Sequence, residues 1–387
     1  MVKAIKVMLI PNNVQKTKLF QYAGASRFAY NWALAREIEN YEKGGKFISD
    51  AELRKEFTKL RHSDEYAWLL NISNNVTKQA IKDACTAYKN FFKGLQKFPR
   101  FKSKKRSMPK FYQDNVKIRF SNTHVKFEGF SSSRKANKQK MNWVRLAEHG
   151  RIPINAKYMN PRISFDGLNW WISVCVEVPD CRETLNDDGV GIDLGIKDLA
   201  ICSDGTKYKN INKSQKVKKS EKQKRRLQRS ISRSYEKNKK GESYCKTNNV
   251  IKKEKLLLKR NHRLTNIRKN YLNQTISEII NRKPRFICIE DLNVSGMMKN
   301  RHLSKAVQEQ GFLGFRKQLE YKCSDKGIQL IVADRFYPSS KLCSCCGNIK
   351  KDLKLSDRVY RCECGNMIDR DFQASINLKT YGEKFAG

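Results

Sequence analysis

The sequence predicts an α/β fold joined to a small antiparallel β-barrel or sheet that carries a helical insertion. Three observations predict it. Apolar runs end in acids, as in "GVGID" and "RFICIE". Stretches from about 110 to 180 alternate in the manner of half-buried strands. A helical, basic segment separates the first strand-like run, "KVMLIP", from those stretches.

Taken in order, "KAIKVMLIPNN" reads as a short strand ending at a Pro-Asn turn. "VQKTKLFQYAGASRFAYNWALAREIENYEKGG" spaces its apolar residues by three and four and stops at Gly-Gly, which predicts a helix. Further helices are expected at roughly 50–60 and 74–95. "FPRFKSKKR" (Phe98–Arg106) interleaves aromatics with cations, which suits a phosphate track with stacking platforms, or an ordinary solvated loop. "VKIRFSNTHVKFEGF" alternates, and "RISFDGLNWWISVCVEVP" reads as two strands around an Asp-Gly turn. Of the adjacent Trp170 and Trp171, at least one is expected in the core rather than both in a base-stacking pair. "LNDD" (185–188) reads as a linker. Two strands then flank the turn Gly195–Asp198. Residues 213–240 carry thirteen Lys/Arg and two Glu, and the helical pattern resumes over 251–280. Two long basic helices with a hinge near "NKKGES" are expected, either facing nucleic acid or merely solvated. "PRFICIEDLNVSG" reads as a buried strand, followed by one helix at about 304–325, the strand "IQLIVAD" and a closing helix in "FQASINLKTYG".

The chain has 387 residues, 80 Lys+Arg against 38 Asp+Glu and a formal net charge of +42. A compact protein with that charge repels itself unless a polyanion neutralises it, and phosphate backbones are the usual partner. Membrane readings fall away, since no run of ~18 apolar residues and no lipidation motif occurs. The N-terminal stretch lacks the layout of a signal peptide, because its apolar run is short and ends at Pro11. The twelve cysteines are therefore expected in a reducing cytoplasm. Seven are scattered (Cys85, Cys175, Cys181, Cys202, Cys245, Cys288, Cys323), and several of these read as small core residues.

The other five cysteines fall within 22 positions of "CSCCGNIKKDLKLSDRVYRCECGNMIDRDFQAS" (343–375). Cys343-x-x-Cys346 before Gly347, and Cys362-x-Cys364 before Gly365, give four thiolates in two glycine-backed pairs, the pattern of a closed structural zinc site. The second pair has one intervening residue where two are usual. Cys345 could replace Cys346, but C-x-C at both ends would crowd the metal. Such a site leaves no open coordination position and does not catalyse. Three acids stand at strand or helix ends: Asp193 after "GVGI", Glu290 after "RFICI", and Asp371 opening the last helix. Alone each reads as a cap or turn residue. Together they match the way ribonuclease-H-like nucleases assemble carboxylates around two divalent cations for in-line attack on a phosphodiester. Hard oxygen ligands suit Mg²⁺ or Mn²⁺. Asp369, two residues before Asp371, reads as a turn or capping residue.

"FYPSSKLCSCCG…YRCECGNMIDRDFQASINL", "GIDLGIKDLAICSDG" and "FICIEDLNVSGM" resemble the TnpB family, the OrfB proteins of bacterial insertion sequences, related to compact type V CRISPR effectors. "LIPNNVQKTKLFQYAGASRFAYNWAL" and "PRFKSKK" are also similar to the family, and the likeness covers nearly the whole chain. The resemblance implies a bilobed, RNA-guided DNA endonuclease that binds a guide (omega) RNA, reads a short target-adjacent motif in double-stranded DNA, opens an R-loop and cuts both strands at one RuvC site. By motif position the RuvC acids are Asp193, Glu290 and Asp371, holding Mg²⁺ with Mn²⁺ as a substitute. The structural Zn²⁺ ligands are Cys343, Cys346, Cys362 and Cys364. The implied divisions are a wedge-domain first strand (1–12), a helical recognition lobe (13–108), a wedge β-barrel (109–184), RuvC with a basic helical hairpin (185–341), a zinc ribbon that binds target nucleic acid (342–366) and a last RuvC segment (367–387). One protein per RNA in the bacterial cytoplasm, associated with the nucleoid, is expected. Gln373 and Ser375 depart from a tail that often reads Asn-Ala-Ala in the family, without removing a metal ligand. A family branch that has lost the acids only binds DNA; the three acids here favour a nuclease over that repressor and over a strand-joining transposase.

Overall fold

Strand β1 (Val2–Ile10) pairs antiparallel along nearly its whole length with β7 (Trp170–Glu177), and its end pairs with β5 (Trp143–Leu146). The first strand of the chain is thus internal to a sheet whose other strands come more than 100 residues later. β2 (Lys110–Tyr112) and β6 (Tyr158–Phe165) extend the sheet beyond β7, and β4 (His124–Lys126) and β3 (Arg119–Phe120) extend it beyond β5. The computed structural model describes residues 1–130, 141–179, 182–241, 243–354 and 356–386. They fall into two compact units, Met1–Pro179 and Asp180–Gly387.

In the first unit, helices α1 (Asn13–Glu42), α2 (Asp50–Arg61) and α3 (Asn74–Phe92) are inserted after β1. α1 starts at a reciprocal cap, Asn12 with Gln15, and α2 at another, Ser49 with Glu52; each pair satisfies backbone donors that a helix start leaves orphaned. Leu19, Tyr22 and Leu34 of α1 and Ile81 of α3 share one core with Val7, Phe111 and Ile172 of the sheet. Trp170 belongs to that core, whereas Trp171 on the opposite face donates its indole N–H to Asp166 at 2.7 Å. The expected barrel does not form. Among the described residues β2 and β3 are free edges of an open seven-stranded sheet, and at three and two residues they are too short to close it. In "FPRFKSKKR", Phe98, Arg100, Phe101 and Lys104–Arg106 are exposed. Lys102 turns inward, its ammonium 3.0 Å from the Tyr30 ring centre, and burial pushes its pKa down to about 7.

The second unit has a five-stranded sheet in the order β10 (Lys207–Lys209), β9 (Asp198–Cys202), β8 (Val190–Leu194), β13 (Phe286–Glu290), β14 (Gln329–Ala333). β8, β13 and β14 run parallel, and β9 and β10 complete an antiparallel edge. The basic helices are α4 (Gln215–Lys237) and α5 (Asn248–Asn281), packed together and joined through a short ribbon of β11 (Lys239–Lys240) and β12 (Ser243–Tyr244); one residue of the expected hinge, Glu242, lies outside the described residues. α6 (Val294–Lys299), α7 (Ser304–Gln310) and α8 (Phe312–Lys326) follow β13. One helix was expected over 304–325. Two form, because Gly311 at φ 72° takes the left-handed conformation that ends α7 and starts α8. The hairpin β15 (Val359–Arg361) and β16 (Met367–Asp369) runs directly into α9 (Arg370–Glu383). Cys85, Cys202, Cys288 and Cys323 are buried, Cys175 is half-buried and Cys245 is exposed; Cys181 lies outside the described residues. No helix among the described residues is long and apolar enough to cross a membrane.

Candidate functional site

β13 reads Phe-Ile-Cys-Ile before Glu290, and those four residues are fully buried. Burying such side chains contributes about 1.5–3 kcal/mol each, which lets the strand carry an acid at its end. The parallel register pairs Ile289 with Ile192, so the next residues, Glu290 and Asp193, emerge together at the carboxyl ends of neighbouring strands. In open α/β sheets that is where ligands bind. Helix α9, which begins with Arg370 and Asp371, packs across β8 and β13. The approach is close: a Cβ on Gly191 would stand 2.1 Å from the Ser375 carbonyl oxygen, so only glycine fits beneath the helix.

The three predicted acids therefore converge from β8, β13 and α9. Burial raises the Asp193 pKa well above the ordinary carboxylate value, and Glu290 and Asp371 push it further. Burial raises Glu290 as well, Asp371 adds to the rise, and the Ser339 hydroxyl, which donates to Glu290 Oε1, opposes it. Asp371 is paired with arginines: Arg370 donates to its Oδ1 from Nε at 3.1 Å and Nη2 at 2.8 Å, and Arg358 stands 3.8 Å from Oδ2. Asp291, next to Glu290, is tied to Arg316 and Arg335, which hold its carboxyl below the ordinary range. Asp369 caps α9, accepting from the backbone N–H of Asp371 at 3.1 Å and of Phe372 at 3.0 Å, which is the capping role its position predicted. Oxygen donors on a cluster of repelling acids suit a hard divalent cation. The carboxylate oxygens do not all come within 4.8 Å of one another, as expected of like charges with Arg370 on one of them.

Within 4.8 Å of one another, among the described residues, are the sulfurs of Cys343, Cys346, Cys362 and Cys364. Cys343 and Cys364 stand 3.7 Å apart and Cys346 and Cys362 3.5 Å apart. The edge of a tetrahedron with Zn–S ~2.3 Å is roughly 3.8 Å, so the four thiols fit a structural zinc. The missing residue of the second pair is absorbed in its turn. Gly347 N–H bonds four residues back to the Cys343 carbonyl and Gly365 N–H only three back to Cys362, each at 3.0 Å. Burial opposes a thiolate at Cys343, but donors from the Cys346 backbone and the Asn366 amide prevail and bring its pKa to about 6. Cys345 is exposed and outside the cluster.

Sequence reasoning missed the groups that join the four-cysteine cluster, a clip between β14 and α9, to the acids. Ser339 lies 49 residues from Glu290 and carries no local signal. Asn377 donates to the carbonyls of Ser339 and Leu342, both at 2.7 Å. Gln373, one of the two departures from the family tail, is fully buried and accepts from Asn366 at 3.1 Å. Ser375, the other, donates to the Phe372 carbonyl at 2.6 Å and caps nothing beyond its own helix.

A separate basic surface runs along α4. Lys218, Lys222, Arg225 and Arg229 follow an i, i+4, i+7, i+11 stripe and line a cavity of about 600 Å³ facing Lys305 and Glu309 of α7. The acids there are already used: Glu221 pairs with Arg268 at 3.1 Å and Lys224 at 3.3 Å, and Glu309 with Arg268 at 3.2 Å.

Comparison with known proteins fits this geometry. Residues 1–46 match a family model described as "Helix-turn-helix domain", 173–301 one described as "Probable transposase" (OrfB of IS605) and 312–378 one described as "Cas12f1-like, TNB domain". The "Putative RNA-guided DNA endonuclease InsQ" of Escherichia coli (strain K12) is 30% identical over 379 residues, covering 93% of this chain and 87% of its own length. A "Putative RNA-guided DNA endonuclease" of Streptomyces pristinaespiralis is 28% identical over 381 residues, covering 98% of this chain and 89% of its own. The fold matches Cas12f1 in a cryo-EM complex with sgRNA and target DNA, with a TM-score of 0.61 over 98% of both chains at 12% identity. With a relative this similar along nearly its entire length, the chain belongs to the TnpB family, the OrfB proteins of insertion sequences.

Proposed function

We propose that this chain is an RNA-guided DNA endonuclease of a transposon. It binds a guide RNA, recognises a target-adjacent motif in double-stranded DNA, and cuts both strands of the R-loop at one site formed by Asp193, Glu290 and Asp371. The observation that carries the reading is the convergence of these acids from the ends of two parallel strands and the start of a helix packed on them. Mg²⁺, or Mn²⁺ in its place, would be held by the three carboxylates, and when bound would supply an activated water and charge neutralisation at the attacking and leaving oxygens. The chain itself orients those carboxylates, through Ser339 for Glu290 and the Asp369 cap for the helix bearing Asp371. Arg370 holds Asp371 until a cation competes for it. Cys343, Cys346, Cys362 and Cys364 hold a structural zinc. The strand-rich 109–184 with 1–12 is the wedge, 13–108 the recognition lobe, 185–341 with 367–387 the nuclease domain and 342–366 the zinc ribbon. The net charge of +42 leaves sequence reading to base pairing while the protein grips backbones. One protein per RNA, acting on nucleoid DNA in the bacterial cytoplasm, completes the reading.

The test is co-expression with the flanking element, sequencing of the RNA that co-purifies, and a challenge with a plasmid library and Mg²⁺. Guide-dependent double-strand cuts beside a fixed short motif support the nuclease. Binding without cutting supports a repressor, the outcome that the Arg370–Asp371 pair would favour if no cation displaces it. Absence of any specific RNA sinks both. Asp193→Ala is expected to abolish cutting and spare RNA binding; cutting at the wild-type rate would remove Asp193 from the site.

A further inference from the structure

We propose that Ser339 is a positioning residue that fixes the Glu290 carboxylate for divalent-cation binding and, through Asn377, ties it to the cysteine clip. The inference rests on the reading of Asp193, Glu290 and Asp371 as the cation-binding acids.

Ser339 is 4% exposed, and its hydroxyl donates to Glu290 Oε1. Its own carbonyl is held by Asn377 Nδ2 at 2.7 Å, and the same amide holds the carbonyl of Leu342, the residue before Cys343, at 2.7 Å. Asn377 is 2% exposed and sits on α9, the helix that opens with Asp371. A second tie runs in parallel: the Asn366 amide spans Cys343 Sγ at 3.4 Å and Gln373 Oε1 at 3.1 Å, again on α9. The clip is thereby fastened to the element carrying Asp371 and to the side chain orienting Glu290. Buried polar groups need partners, so a shift of the clip cannot leave these bonds intact unless the acids move with it. Groups that orient a metal ligand from behind change metal affinity by ~10–100-fold when removed.

The experiment titrates Mn²⁺ into the full-length protein–RNA complex and follows free Mn²⁺ by electron paramagnetic resonance, with Asp193→Asn as background. Zinc content and RNA affinity are measured on the same samples. Ser339→Ala is expected to weaken Mn²⁺ binding by ~10-fold or more, with one zinc per chain and RNA affinity unchanged. Ser339→Thr, which keeps the hydroxyl, is expected to restore it. Asn377→Asp, which removes the donor at nearly constant shape, is expected to weaken Mn²⁺ binding in wild type and add little in Ser339→Ala. Wild-type Mn²⁺ affinity in Ser339→Ala, or equal loss in Ala and Thr variants, overturns the positioning role. Independent, additive losses in Ser339→Ala and Asn377→Asp overturn the tie to the clip. Asp193-dependent Mn²⁺ binding in a complex that never cuts guided DNA would sink the functional reading alone; cutting that survives with Ser339→Ala binding Mn²⁺ normally would sink this inference alone.

Discussion

Asp193 is penalised from two directions, by burial and by Glu290 and Asp371 beside it. In the unfolded chain neither acts. A carboxylate whose folded pKa is raised favours folding while protonated, and that contribution is lost as pH rises through the folded value. Cation-free Asp193→Asn is therefore expected to melt above the wild type at pH 8, by ~2–4 °C for each kcal/mol relieved. The gap should close as the pH falls and Asp193 is protonated, and saturating Mn²⁺ should reverse the order. Scanning calorimetry at three pH values decides it; identical melting at pH 8 would mean that the acids do not repel. The acids were legible at this scale because each ends an apolar run or opens a helix, and Asp369 was separable from Asp371 as a cap. Their partners were not. Ser339 meets Glu290 only because it lies in the turn that follows β14, the strand paired beside β13, and Arg370, though adjacent to Asp371, gives no sign in sequence of whether it faces the acid or solvent.

On helix α4 the cations at 218, 222, 225 and 229 share one face, and none of the four side chains has a hydrogen-bond or ion-pair partner among the described residues. Each phosphate neutralised adds about 0.7–0.9 to the slope of log affinity against log salt. Replacing all four by Gln is expected to reduce that slope for RNA or DNA binding by about 3, with α4 still helical by circular dichroism. An unchanged slope would return the stripe to a solvated face. Helix periodicity made α1 to α5 readable from the sequence. It failed at Gly311, where one left-handed residue divides what the pattern joins. The sequence pattern marked β6 and β7 as two strands around a turn but said nothing of closure: it reports where strands run, and nothing about whether two edges meet.

Across the whole molecule, +42 charges repel one another in the free protein. Raising NaCl from about 0.05 to 0.5 M shortens the Debye length severalfold, and is expected to raise the melting temperature of RNA-free protein. With RNA bound the same salt should lower it, because counterion release then opposes the complex. A salt response of one sign in both states would show that the charge is already balanced within the fold. The charge named a polyanionic partner directly from composition, whereas the division near 179 follows from contacts that composition does not encode.

The internal place of β1 has a consequence for synthesis. Its full-length partner, β7, begins at Trp170, 160 residues after Ile10. At ~5–20 residues per second a ribosome needs on the order of ten to thirty seconds to deliver it. Until β5 emerges at Trp143 to pair with Leu9 and Ile10, Val7 and Leu9, destined for the core, have no strand beside them, and three helices emerge first. In that interval the only core partners available to the strand are side chains of the early helices, and a chain broken before residue 143 is expected to leave β1 without a strand on either side.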